Sequence, residues 1–268
     1  MPKRPIITLL SDFGLRDSYV AEMKAVILSI SPNAHIVDIS HEVRKFDVRM
    51  GAFLLARAAP FFPKGTVHVA IVDPGVGTER RPIIVETRRS FYVGPDNGLL
   101  MLSAQRENVR HVYVVENRKY MLKSISRTFH GRDIFAPAAA YLTRGVPPLE
   151  MGSEIFDPIM PSFARPKVLD RSIRGEIIHI DDFGNLITNI TYSDLKLLGI
   201  KESGNLLVEL GKEKMLLRFC KAYGEAEIGT PLAIIGSCNF LEIAVNQGNA
   251  SKFFGVKDGE GIIIHKIG

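Results

Sequence analysis

Along the first half of the chain, short unbroken apolar runs alternate with stretches of helical period, and no other feature constrains the fold as much. Residues 6–10 form a continuous apolar run of the kind a strand buried on both faces requires. Val20, Met23, Ile27 and Ile30 then recur at helical spacing behind a cap at Asp17 or Ser18. Residues 35–39 read as a second strand. Val48, Ala52, Leu55, Ala56 and Ala59 mark a second amphipathic helix, closed by Pro60 and Pro63. Residues 67–72 are a third buried strand, and 83–86, 91–93 and 111–115 read as further strands. Residues 134–142 read as a helix with Pro137 in its first turn or at a kink. Such alternation predicts an α/β domain, a mostly parallel sheet with helices on both faces.

The texture changes near Pro147. Pro147, Pro148, Pro158, Pro161 and Pro166 interrupt a stretch without periodic segments, which reads as an interdomain connection. The expected division is a first domain at 1–160, a linker at 161–171 and a second domain at 172–268. In the second domain, β-type runs at 173–180, 186–190, 206–210, 215–219, 232–235, 240–245 and 262–265 are separated by turn residues. Residues 193–198 alone look helical there. Many short strands of this kind predict an antiparallel sandwich or barrel.

Composition excludes several classes. The 34 basic and 29 acidic residues leave +5, scattered rather than gathered into a stripe, so nucleic acid is not an expected partner. Two cysteines, Cys220 and Cys238, cannot build a disulfide framework or a four-ligand zinc site and read as small buried hydrophobes. The apolar run at 6–10 is too short for a signal-peptide core or a membrane span, so the cytoplasm is the expected location and no membrane is an expected partner.

In open α/β sheets, ligands bind beyond the carboxyl ends of the strands. The segments just past the predicted strands are acidic, glycine-rich and histidine-bearing. Ser11-Asp12-Phe13-Gly14 comes after the first strand and Asp73-Pro74-Gly75-Val76-Gly77-Thr78-Glu79-Arg80 after the third. Gly94-Pro95-Asp96-Asn97-Gly98 and Thr128-Phe129-His130-Gly131-Arg132-Asp133 come later. Each has a plain reading: Asp12 as a helix cap, Asp73-Pro74-Gly75 as a tight turn, His130 as a cap or surface group. The pair Gly75 and Gly77 lacks the third glycine of a dinucleotide fingerprint. His35, His68, His111, His179 and His265 fall in strand runs and read as structural. The Asp and His spacings match no standard metal-ligand set, so no metal is expected.

As an ordered series, these segments resemble the S-adenosylmethionine hydroxide adenosyltransferases, relatives of the fluorinases and chlorinases. The resemblance continues through Ile180-Asp181-Asp182-Phe183-Gly184-Asn185 and Leu241-Glu242-Ile243-Ala244-Val245-Asn246 and covers nearly the whole chain. It implies an α/β domain followed by an antiparallel β-barrel domain, and a homotrimer whose sites each lie between two subunits. It implies that Asp73, Arg80 and His130 form a catalytic triad, that Asp12 holds a ribose diol, and that Phe46 walls the substrate. Asp181 matches the residue taking the methionine ammonium, Asn185 one reading adenine, and Ser237 a carboxylate contact. Phe129, Gly131, Phe183, Cys238 and Asn246 complete the implied substrate-binding set. The segment Asp181-Asp182-Phe183 is one residue shorter than in the halogenases, so Asp182 shares the candidacy for the ammonium. Cys238 stands where the halogenases carry arginine.

The implied substrate is S-adenosylmethionine, cleaved by water to adenosine and methionine without a cofactor. Its leaving group departs as a neutral thioether and needs no acid, so the protein must place water in line with C5′–S. Asp73 can accept a hydrogen bond from that water, Arg80 can orient the carboxylate, and His130 can accept or relay the proton. Two alternatives stand beside this one: a halide-using adenosyltransferase on the same fold, and a non-catalytic module that senses adenosine or S-adenosylmethionine.

Overall fold

A computed structural model describes residues 4–201, 204–211 and 213–267. The chain divides into two units, Met1–Pro161 and Ser162–Gly268. In the first unit, β1 (Ile6–Ser11), α1 (Tyr19–Ile30), β2 (His35–Ser40), α2 (Val48–Ala58) and β3 (Val67–Ile71) occur in that order. There follow β4 (Pro82–Thr87), β5 (Phe91–Pro95), α3 (Met101–Arg106), β6 (Val109–Val114), α4 (Ala136–Thr143) and α5 (Pro148–Met151). The six strands make one sheet in the order β2-β1-β3-β5-β4-β6. Pairs β2–β1, β1–β3 and β3–β5 are parallel, whereas β4 runs antiparallel to both of its neighbours.

The apolar runs are buried as their continuity predicts. Ile7 and Leu9 of β1 share one core with Met23 and Ile27 of α1, and with the alanines 138, 139 and 140 of α4. Each large side chain buried there contributes roughly 1.5–3 kcal/mol. On the other face, α2 lies so close that a Cβ on Gly51 would stand 2.8 Å from Leu99 and 3.0 Å from Val72. Helix α2 starts where Asp47 accepts the Met50 N–H, and past its end Ala59–Phe61 forms a single 3-10 turn carrying Pro60. The helix expected at 134–142 has a different beginning. Residues Gly131–Phe135 form a π-helical turn that runs straight into α4, with Pro137 in the first α turn, where its missing N–H costs little.

The second unit holds β7 (Lys167–Leu169), β8 (Ser172–Ile180), β9 (Leu186–Thr191), α6 (Tyr192–Leu197), β10 (Asn205–Leu210) and β11 (Glu213–Cys220). It ends with β12 (Pro231–Ile235), β13 (Phe240–Val245), α7 (Ala250–Phe254) and β14 (Gly261–His265). Strands β14-β10-β11-β12-β13-β9-β8 follow one another around a ring, and β8 pairs back onto β14. That closure makes a barrel of the two architectures the sequence left open. Ile173, Val208, Leu217, Leu241 and Ile264 fill its core. Two expectations are corrected. The barrel is not wholly antiparallel, because residues 221–230 return the chain to the same end and β12 pairs with β11 in parallel. Residues 193–198 are not the sole helical stretch, because Asn249 caps α7 through the Lys252 N–H and Gly255 ends it in the left-handed region. A helix of five residues has too few turns to show a period. Within 161–171, Ser162–Ala164 forms a 3-10 turn and β7 pairs with β8. Among the described residues, no helix is long and apolar enough to cross a membrane.

Candidate active site

Asp12 and Asp73 issue from neighbouring parallel strands. Ser11, the last residue of β1, is in register with Ile71, the last of β3, so both acids leave the carboxyl edge of the sheet side by side. Asn97, in the turn after the adjacent strand β5, holds the end of β3 by donating to the Val72 carbonyl at 2.8 Å.

Asp73, Arg80 and His130 come together. Arg80 Nε donates to both Asp73 carboxylate oxygens at 2.9 Å, and Nη2 donates to Oδ2 as well. The same Nη2 lies 2.9 Å from His130 Nδ1. The guanidinium also lies over the Phe135 ring, 5.1 Å from its centroid. Both charged side chains are more than nine-tenths buried. Two loops must approach closely for this contact to exist, and Gly77 permits it. Its φ is +77°, and a Cβ there would stand 2.3 Å from the Arg127 carbonyl oxygen, three residues before His130.

The chemistry of the cluster follows from its donors. A guanidinium has no acceptor, so the His130–Arg80 contact makes Nδ1 the acceptor and puts the ring proton on Nε2. Burial, and then the Arg80 charge, hold the His130 pKa below its ordinary value, with Asp73, Asp133 and the Ser126 backbone pulling the other way. His130 is therefore a neutral ring whose basic nitrogen is already engaged. Asp73 differs. A carboxylate offers about four acceptor positions, and Arg80 makes three contacts to it, so acceptor capacity remains.

Around this cluster, Asp12 is buried and its Oδ2 accepts the Phe46 N–H at 2.9 Å, while Lys45 Nζ donates to its carbonyl. Phe46 stands at φ +66°, a left-handed conformation that costs a bulky residue on the order of 1–3 kcal/mol, and its side chain is 68% exposed. Phe129 is buried instead, edge-on to Phe13 and Tyr19 and beneath the Arg132 guanidinium. Gly131 is packed: a Cβ would stand 3.1–3.3 Å from Phe129, Ile71 and Met23. Sequence reasoning missed the support of this loop. Buried Asp133 accepts the Ser126 N–H at 2.7 Å and pairs with Arg132, which reaches Glu22 of α1. Burial would raise the Asp133 pKa, but Arg132 and the Ser126 N–H outweigh it and hold it low.

The second unit brings Asp181, Phe183 and Asn185 to one cavity of about 570 Å³, with Tyr223, Val245, Gln247 and Gly248 completing the lining. Phe183 is 78% exposed, an unburied ring at the cavity wall. Asp181 works first for its own loop: Oδ1 accepts the Phe183 and Asn185 N–H groups, and Oδ2 accepts from the Asn185 amide. Asp182 is exposed. Ser237 and Cys238 sit on the turn between β12 and β13, with Oγ and Sγ 3.7 Å apart, and neither lines the cavity. Asn246 does not line it either, since its amide donates to the Ala226 carbonyl and pins that loop. Tyr223 escaped the sequence reading because it lies in an irregular segment. Its hydroxyl donates to Glu242 at 2.8 Å, and burial together with that carboxylate pushes its pKa up. Among the described residues, no group of three or more His, Cys, Asp or Glu is placed to hold a metal ion.

An α/β unit with acids at its strand ends, followed by a small closed barrel with a lined cavity, defines a two-domain protein built to hold a small polar molecule. Residues 7–152 match the N-terminal domain and residues 175–263 the C-terminal domain of the SAM hydroxide adenosyltransferases, and the chain belongs to that family. It is 40% identical to a Thermus thermophilus protein named (R)-S-adenosyl-L-methionine hydrolase, over 96% of this chain and 97% of that one. A fluorinase from Actinoplanes sp. is more distant, at 31% identity over 98% of both chains. The crystal structure of a conserved protein from Thermotoga maritima superposes with a TM-score of 0.83 at 39% identity, over 97% of this chain and all of that one.

Proposed function

We propose that the protein hydrolyses S-adenosyl-L-methionine to adenosine and L-methionine by in-line attack of water at C5′. The water oxygen bonds to C5′ as the C5′–S bond breaks, and the bonding pair stays on sulfur as a neutral thioether. The water proton passes to Asp73 and then to solvent. The observation that carries this reading is the buried Asp73–Arg80–His130 cluster, in which Asp73 retains acceptor capacity and His130 Nδ1 does not. Arg80 fixes the carboxylate, and the neutral His130 supplies an Nε2–H donor. Asp12 takes the ribose hydroxyls with its remaining lone pairs. The Asp181 cavity takes the adenine and methionine portions, with Asp182 the more accessible partner for the ammonium. No step calls for a cofactor, because the leaving group is activated before it binds.

The reading extends to a homotrimer in which each site draws on two subunits, carried by the family alone, and to the cytoplasm, in keeping with two free cysteines. One experiment tests the reaction: incubation with each sulfonium epimer of S-adenosylmethionine in oxygen-labelled water, followed by chromatography and mass spectrometry. The label is expected in the 5′-hydroxyl of adenosine and not in methionine. The R epimer is included because the Thermus relative's name specifies it. S-adenosylhomocysteine with labelled methanol as products would place the broken bond at the methyl group and refute the reaction. Mixing Asp73→Ala with Asn185→Ala under subunit exchange tests the assembly, and activity should return if sites are shared between subunits.

A further inference from the structure

Beneath Asp12 lies a serine, histidine and aspartate arrangement that the reaction does not use, with Ser11 and His41 buried and Asp38 at the surface. Ser11 Oγ is 2.8 Å from His41 Nδ1, and His41 Nε2 is 3.1 Å from Asp38 Oδ1, close but off the line of a hydrogen bond. Lys24 of α1 completes the row by donating to Asp38 Oδ2 at 2.6 Å. The geometry is that of a nucleophile with its base, yet Ser11 is 1% exposed and His41 4%, so no substrate reaches the hydroxyl. The proton positions run one way. A nitrogen lone pair facing a carboxylate is repelled, so Nε2 carries the hydrogen and Nδ1 accepts from the Ser11 hydroxyl. Ser11 Oγ in turn accepts the Phe13 N–H at 3.3 Å.

The row ties two loops together. The His41 carbonyl accepts the Gly14 N–H at 2.7 Å, and the Ser11 carbonyl accepts the Val43 N–H. These loops carry Asp12 and Phe46, whose own contact, Phe46 N–H to Asp12 Oδ2, is made in a strained left-handed conformation. Strain of that kind persists only where the surroundings over-determine it. We propose that His41 is a positioning residue: the Asp38–His41–Ser11 row, buried at His41 and Ser11, locks the end of β1 so that Asp12 and Phe46 are held in place for the nucleoside sugar. The proposal rests on the assignment of Asp12 to the ribose.

The test is calorimetric binding of adenosine and of methionine, separately, to folded variants. His41→Leu removes both ring nitrogens and should weaken adenosine about tenfold, the effect of losing the buried hydrogen bond to Ser11 together with the contact to Asp38, while methionine binding stays within twofold. Ser11→Ala removes one hydroxyl and should weaken adenosine by about threefold to tenfold, and it serves if His41→Leu does not fold. His41→Asn keeps an acceptor near the Nδ1 position and should recover most of the affinity. Adenosine binding unchanged in His41→Leu and Ser11→Ala, with Asp12→Asn impaired, overturns the proposal. Equal loss of adenosine and methionine binding also overturns it, because a merely structural role would do that. Unchanged adenosine binding in Asp12→Asn refutes the ribose assignment itself, and the positioning role with it.

Discussion

Replacing Asp73 by asparagine alters one charge without altering size. The wild-type carboxylate accepts three contacts from Arg80, and both side chains are more than nine-tenths buried. The amide keeps one acceptor oxygen and turns a donor toward the guanidinium. Removing one partner of a buried pair costs about 3–5 kcal/mol. The retained oxygen and the Phe135 ring beneath Arg80 offset part of that, which leaves a loss of roughly 2–3 kcal/mol. For a protein of this size the melting temperature should fall by about 5–10 °C, and the variant should remain folded at 25 °C. Turnover should fall much further, by about 10²–10⁴, because the acceptor for the water proton is gone. Adenosine affinity should stay within about threefold, since Asp73 is not assigned to ground-state binding. His130→Asn is the contrast. It offers an oxygen where Nδ1 stood, so Arg80 keeps its acceptor and turnover should fall by no more than about tenfold. Single-turnover rates well below the melting temperature, with calorimetry for adenosine, measure both variants. Wild-type turnover in Asp73→Asn, or His130→Asn more damaging than Asp73→Asn, would refute the assignment of the proton to the carboxylate.

The pH profile should follow from His130, whose pKa is held low by burial and by Arg80: kcat should stay flat through neutral pH and fall only below the ordinary histidine value of about 6.5, and an acid limb centred above that value would contradict a neutral ring. Stability should fall with acid because of His68, wholly buried and pushed down to about 3 by desolvation and then by Arg89. Between about pH 6.5 and 3 the unfolded chain takes up a proton that the folded one refuses, so up to about 5 kcal/mol present at neutral pH is lost across that window. Urea unfolding at several pH values should show a shallower dependence for His68→Gln, and equal slopes would count against it. Gly77→Ala should cut turnover at least about tenfold and lower the melting temperature, because a Cβ in that left-handed position meets the Arg127 carbonyl; wild-type kinetics would show that the loop approach is not needed.

The alternation of apolar runs made the first unit legible because β1 and β3 are buried along nearly their whole length and are mostly apolar, with Thr8, Ser11 and His68 the few polar side chains buried among them. The strand ends then located the acids, since Asp12 and Asp73 sit one and two residues past the last paired positions. The cluster with Arg80 and His130 was legible only through the ordered motifs, because the contact depends on a glycine crossing between two loops and leaves no periodic trace. Barrel closure was legible only through the family resemblance, not from the residues' own pattern: β8 serves β9, β14 and β7 along different parts of its length, and pairing of that kind is not written in local alternation. Tyr223, Gln247 and Gly248 were missed for a related reason. They lie in turns whose positions are set by the barrel rather than by their own residues.

The choice of nucleophile turns on space and charge at the end of β3. A halide wants donors and no nearby negative charge, whereas Asp73 offers lone pairs and repels an anion arriving at the same carbon. Arg80 offsets that conflict only in part: Nε and Nη2 are committed to Asp73 and His130, and only the buried Nη1 keeps donors without a protein partner. A side-chain donor at Gly131 is disfavoured as well. A serine Cβ would press on Phe129, Ile71 and Met23, and a few tenths of an ångström of yielding would have to come from the core beneath the π turn. Water meets neither obstacle, since it can donate to Asp73 while a lone pair faces C5′. The packing that leaves no side chain at 131 and the ion pair that leaves an acceptor on Asp73 therefore favour the same nucleophile.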